Sequence, residues 1–245
     1  MKPYRIGILS ALFVLGLLPG AQAALHDRGG GLIYDDVLDV TWLQNPMLIA
    51  GTAFDDDYAK APAINPNTDG LVSYHAAQAW VQSLQYYDAV RNVTWTGWRL
   101  PRVRPVNGVS LNVRSAYDGS SDVGYNITSP LHELAYMYYV NLKNKGRYDT
   151  NGVLRTEYGL EDDPGDPGDE TLFPNLRPGY YWYSTIRPDN DTNAWDFRLD
   201  RGATTAAFLG YVRYVWAVRD GDVGLPNAPQ ISGVTALPAT LLVIG

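Results

Sequence analysis

The chain has 245 residues, with 19 basic and 26 acidic side chains and no cysteine. Its length suits one domain of about 200 residues, or at most two small ones, and 46% hydrophobic against 18% charged residues is enough for a packed core. The net charge of −7 argues against a partner read through phosphates, so no nucleic acid is expected. The missing thiols exclude disulfides, cysteine-based metal sites and a thiol nucleophile.

At the start of the chain, Lys2 and Arg5 precede an apolar stretch from Ile6 to Leu18 that is too short to span a bilayer. Ala21-Gln22-Ala23 then offers a small-residue cleavage point after Ala23. Residues 1–23 read as a secretory signal, which makes the protein an exported one, periplasmic, at the cell surface or extracellular. Without Lys2 and Arg5 the 19 basic residues become 17 against 26 acidic ones, a mature charge of −9.

Leu32 to Leu43 reads as a hairpin with Asp35-Asp36 near the turn and Val40 and Trp42 on one face. Gly51 to Gly70 is polar and rich in Pro and Asn, a surface loop. Ala77, Trp80, Val81 and Leu84 then form one helical stripe. A Gly/Ser/Asn-rich insertion follows Trp98-Arg99-Leu100-Pro101 and runs to Thr128. A second helix is expected from Ser129 as N-cap and Pro130 at its first position, with the stripe Leu131, Leu134, Ala135, Tyr138 and Leu142.

Asp149 to Pro178 reads as loop, including the acidic run from Glu161 to Glu170, and the remainder reads as β. Tyr180 to Ile186 is aromatic and β-branched. Ala194 to Asp200 alternates, with Trp195, Phe197 and Leu199 inward and Asp196, Arg198 and Asp200 outward. Tyr211 to Arg219 alternates as well. Two helices packed on antiparallel strands give a single α+β domain.

Several ordered segments resemble one family, the Lcl C-terminal-domain-like proteins of exported bacterial origin. They are Gly31 to Asp35 with Asp39 to Leu43, the helix around Trp80 leading into Trp98 to Pro101, Gly124 to Asn126 before Glu133-Leu134, Tyr181 to Thr185, Ala194 to Phe197, and Trp216 to Gly221. The resemblance covers most of residues 31–222 and gives the domain the bounds 24–222. It implies a C-type-lectin-like fold, distantly similar to that of formylglycine-generating enzymes, whose oxidase chemistry needs cysteines that this chain lacks. Arg102 stands where the family usually has Thr, so the local loop contact is expected to differ.

Residues 223–245 read as a linker and an apolar tail in which Leu237-Pro238-Ala239 is similar to the start of a PEP-CTERM-type sorting signal. That tail is too short for its transmembrane helix, and it has Thr235-Ala236 in place of the usual Val-Pro. Membrane contact is therefore expected only through processing signals.

Candidate chemistry is sparse. His132-Glu133-Leu134-Ala135-Tyr136 begins like a zinc-protease helix, but Tyr136 replaces the second histidine. Asn65 to Gly70 matches the first positions of a calcium loop, and Ala76 stands where its bidentate Glu should be. No metal site, catalytic residue or cofactor is expected, calcium being the one ion the oxygen donors would admit. Arg99 and Arg219 read as structural donors at sheet ends.

The aromatic surplus of 18 Tyr, 7 Trp and 5 Phe, beside Asp and Asn, is the composition that carbohydrate sites use. The expected function is therefore non-enzymatic binding of glycan or exopolysaccharide. The expected site comprises Tyr181, Tyr183, Arg187, Asp189, Asn190 and Asp191, the readings without a ligand being a thicker two-sided core for the aromatics and an ordinary turn between two strands for Arg187 to Asp191. A structural or adhesive homo-oligomeric module is the alternative, and an enzyme with a composite site the third.

Overall fold

A computed structural model describes residues 25–55, 68–160 and 171–225. The expected signal, the sorting-like tail at Leu237 to Ala239, the acidic run and the start of the calcium-like loop all lie outside them. The N-terminal third forms β1 (Leu25–Asp27), β2 (Leu32–Asp35), β3 (Val40–Leu43), helix α1 (Tyr74–Ser83), β4 (Tyr86–Asp88), β5 (Val93–Trp95) and β6 (Trp98–Arg99). The insertion carries β7 (Ser115–Ala116) and β8 (Val123–Tyr125), followed by α2 (Glu133–Tyr136), which widens into a π-turn over Met137–Asn141. The C-terminal part is β9 (Tyr180–Arg187), β10 (Asn190–Arg198), β11 (Ala203–Phe208) and β12 (Val218–Asp220).

Two five-stranded sheets result. One has the order β1-β2-β3-β12-β6 and is antiparallel throughout; the other has the order β7-β8-β11-β10-β9, with β7 and β8 its parallel pair. The fold is α+β. Among the described residues no helix is long and apolar enough to cross a membrane.

Local chemistry explains most of these elements. The Asp35 carboxylate accepts the N–H groups of Val37 and Leu38 and so closes the β2–β3 turn. Ser73 caps α1 by accepting the Ala76 N–H, and Tyr74, Ala77, Trp80 and Val81 form its buried face. Gly124 sits at φ +114°, and a Cβ there would lie 1.9 Å from the Ala116 carbonyl oxygen, so only glycine lets β8 approach β7.

Two cores share these sheets. The first gathers Trp42, Tyr138, Tyr181, Tyr183, Trp195, Phe197 and Trp216; the second lies under α1 and takes Leu32, Trp80, Trp98, Trp182, Val215 and Ala217. Successive residues of β9 therefore enter different cores, and so do residues 214–218. Each fully buried large apolar side chain contributes about 1.5–3 kcal/mol. Val223 packs in the second core, and Arg91 holds the Gly224 carbonyl, so the packed chain continues past residue 222.

Three expectations need correction. The second helix starts at Glu133, not after Ser129. Backbone bonds from Arg104 N–H to Leu131 and from Glu133 N–H to Arg102 hold Pro130 to His132 out of helical geometry. Residues 211–217 make only isolated bridges at Arg213 and Tyr214, because their backbone bonds to Val72, Tyr180 and Trp182 tie the two cores together. Asp196, expected outward, is fully buried, because the second core covers that face of the sheet.

Candidate functional site

The expected aromatic face is not a surface. Tyr181 and Tyr183 are both 0% exposed. Tyr181 exchanges hydrogen bonds with the Arg177 backbone, and the Tyr183 hydroxyl accepts the Ala135 N–H at 3.1 Å. Burial pushes both hydroxyls above the ordinary tyrosine pKa. Between them, Trp182 enters the other core and donates to the Val72 carbonyl. A strand covered on both faces hides its aromatics whichever way they point, so neither tyrosine can stack on a ligand.

The polar half of the expected site is exposed, at the turn joining β9 to β10. Arg187 grips Asp189 with two bonds of 2.8 and 2.6 Å, and that guanidinium holds the carboxyl below its ordinary pKa. Its guanidinium also lies 5.9 Å from the Trp195 ring. Asn190 Oδ1 accepts both the N–H and the hydroxyl of Thr192. These oxygens are committed to shaping the turn. Asp191 stands exposed beside them.

What the sequence reading missed is the partner of that turn. Asn193 pairs with Phe208 at the end of the β10–β11 ladder, and Leu209 N–H donates to the Thr192 carbonyl. Phe208 and Tyr211, 53% and 58% exposed, meet with ring centroids 6.1 Å apart at 80°. The corner depends on Gly210, where a Cβ would sit 2.7 Å from Phe208 Cε1. Arg213 steadies the other side, its guanidinium 5.6 Å from the Tyr211 ring and 4.2 Å from that of Tyr180, and its Nε 2.7 Å from Asp196. Two aromatics flanking a Leu-Gly turn were the available signal, obscured because the Ala/Thr-rich β11 has little apolar alternation.

The histidine–glutamate pair at the start of α2 serves the interior. His132 is fully buried, with Nε2 2.8 Å from an oxygen of Asp122. Asp122 also accepts the N–H groups of Val106 and Asn112, so one carboxylate ties the insertion to the helix. Burial works against its charge, but His132 and the two N–H donors win and hold its pKa below the ordinary 3.8. With Asp122 ionised, His132 donates from Nε2.

Glu133 receives both Nη groups of Arg99, at 2.8 and 2.9 Å, and the Arg102 N–H at 2.7 Å. Arg99 and Arg102 both reach Asp220 on β12. Arg219 instead lies over Trp95, 4.7 Å from the ring centroid. Arg99 and Arg102 thus tie β12 to the start of α2.

At the opposite end of the second sheet, residues 145–157 form an open groove of about 370 Å³. Its walls include Lys145, Asp149, Leu154, Arg155, Thr156 and Glu157. Arg155 is fixed by donating to the carbonyls of Gly146 and Tyr148. Beside it Tyr117, Tyr125 and Tyr148 pack with centroids 5.0 to 5.8 Å apart.

Comparisons with family models, with curated proteins and with solved structures give no match.

Proposed function

We propose that this is an exported, non-enzymatic domain that binds neutral glycan at the corner formed by Phe208 and Tyr211 with the Asn190–Asn193 end of β10. The exposed, perpendicular aromatic pair carries this reading. A pyranose ring can lay its CH face on one aromatic while its hydroxyls meet a neighbouring carboxylate and amide, here Asp191 and Asn193. The corner is rigidly mounted on a long ladder, which lowers the ordering cost of binding. A chain net charge of −7 favours a neutral ligand over a sulfated one. The non-enzymatic part is supported by the commitment of His132, Glu133 and Asp122 to interior bonds.

The test is a glycan array probed with the purified protein, once with calcium and once with chelator. Retention equal in both arms is expected, since Asp189 and Asn190 already have partners. Retention should fall sharply when Phe208 and Tyr211 are both changed to Ala. A blank array in both arms would overturn the reading in favour of a self-associating structural module.

A further inference from the structure

The sheet that carries the aromatic corner has an open groove at its other end. Six ladder pairs, from Asn193↔Phe208 to Arg198↔Ala203, separate the corner from the β10–β11 turn, a span of about 17 Å at the usual strand rise. At that far turn the 145–159 segment is anchored by the Arg147 N–H bond to the Arg201 carbonyl and by Gly159 lying against Asp200. Bridges Lys145↔Gly159 and Tyr148↔Leu154 give the segment a hairpin-like course, and the groove opens along it.

The lining is chemically mixed. Lys145 and Arg155 are balanced by Asp149 and Glu157, so the groove has no net charge to select an anion or a cation. Lys145 and Glu157 lie 3.9 Å apart and exposed. Asp149 uses Oδ1 to accept the N–H groups of Asn151 and Val153, which shapes the floor. Leu154 is 55% exposed and supplies an apolar wall, with the Tyr158 ring, partly exposed, next to Glu157 in the chain. Hydroxyl-accepting carboxylates, N–H donors and an apolar wall, without net charge, suit a neutral, hydroxyl-rich sugar.

We infer that the 145–157 groove is a second glycan subsite, so that one domain engages two stretches of neutral polysaccharide from opposite ends of one sheet and cross-links them. This rests on glycan binding at the Phe208–Tyr211 corner, and it makes the domain bivalent. Two linked sites raise retention on a polymer far above that of either alone, by about 10²–10⁴ where the geometry allows both to engage.

The experiment uses the full-length protein and a panel of neutral hexasaccharides of glucose, mannose and galactose, with the matching soluble polymers. Calorimetry on the best-retained hexasaccharide should give two sites per chain, and the matching polymer should turn turbid on adding protein. Lys145→Glu with Leu154→Ser, both at exposed positions, should leave one site and abolish turbidity. Phe208→Ala with Tyr211→Ala should also leave one site, the other one.

One site in the wild type that Phe208→Ala with Tyr211→Ala removes, or two sites unaffected by the groove variant, would overturn this inference and leave the corner reading intact. No binding of any hexasaccharide would overturn both. An unchanged melting temperature in each variant separates lost sites from lost fold.

Discussion

The Tyr180–Tyr183 strand and the Phe208–Tyr211 turn lie in one sheet and carry the same kind of side chain, yet they meet opposite fates. In the strand, Tyr181, Trp182 and Tyr183 are all 0% exposed, because a core presses on each face. At the turn the ladder has run out, the covering layers have ended, and two rings stand more than half exposed. Aromatic character therefore does not mark a binding face. Whether a second layer reaches that point of the sheet does.

The largest effects should come from the buried side of this contrast. Tyr183→Ala empties a packed site and strands the Ala135 N–H, and should cost about 3–5 kcal/mol in thermal or denaturant unfolding. Tyr211→Ala should stay within about 0.5 kcal/mol while glycan retention falls. Equal destabilisation by the two would dissolve the distinction.

Charge gives a parallel comparison. Arg99→Ala leaves Glu133 buried and unpaired and should cost about 3–5 kcal/mol; Arg187→Ala at the exposed turn should cost about 0–1 kcal/mol. Denaturation midpoints at pH 7 measure both.

A smaller effect concerns pH. The Asp122 pKa lies below 3.8 in the fold, so the unfolded chain takes up the proton first as pH falls. The stability Asp122 supplies is complete above 3.8 and is lost as pH drops through its lower folded value. Asp122→Asn should flatten that acid limb of the stability curve. Asp196 works in the opposite direction, since burial raises its pKa against the pull of Thr205 and Arg213. The wild type and the variant must therefore be compared at each pH. A curve unchanged by Asp122→Asn would mean that the His132 contact does not govern the insertion.

The smallest structural perturbation is Gly210→Ala, whose new methyl displaces the Phe208 ring, a flexible neighbour. Unfolding should barely change, and affinity for the retained hexasaccharide should fall. Affinity equal to the wild type would remove Phe208 orientation from the site.

Reading the residues in order gave the α+β class, the β2–β3 hairpin and the buried stripe of α1, because each rests on local signals: a turn carboxylate, a cap and a 3.6-residue period. It also placed the Arg187–Asp191 segment at a turn between two strands. The start of α2 was not legible, since long-range bonds from the Glu133 N–H to Arg102 and from the Arg104 N–H to Leu131 override a sound local cap. Nor was β11 marked out, as the Ala/Thr-rich stretch from Ala203 becomes a strand through pairing with β8 and β10.

Sequence by itself thus determined which residues alternate and where the chain turns. Only the tertiary structure decided that both phases of β9 are interior, that Asp196 is buried beneath Arg213, and that Phe208 and Tyr211 are the exposed aromatics. The physical reason is that periodicity distinguishes one face of an element from the other, whereas exposure depends on what distant segments pack against each face.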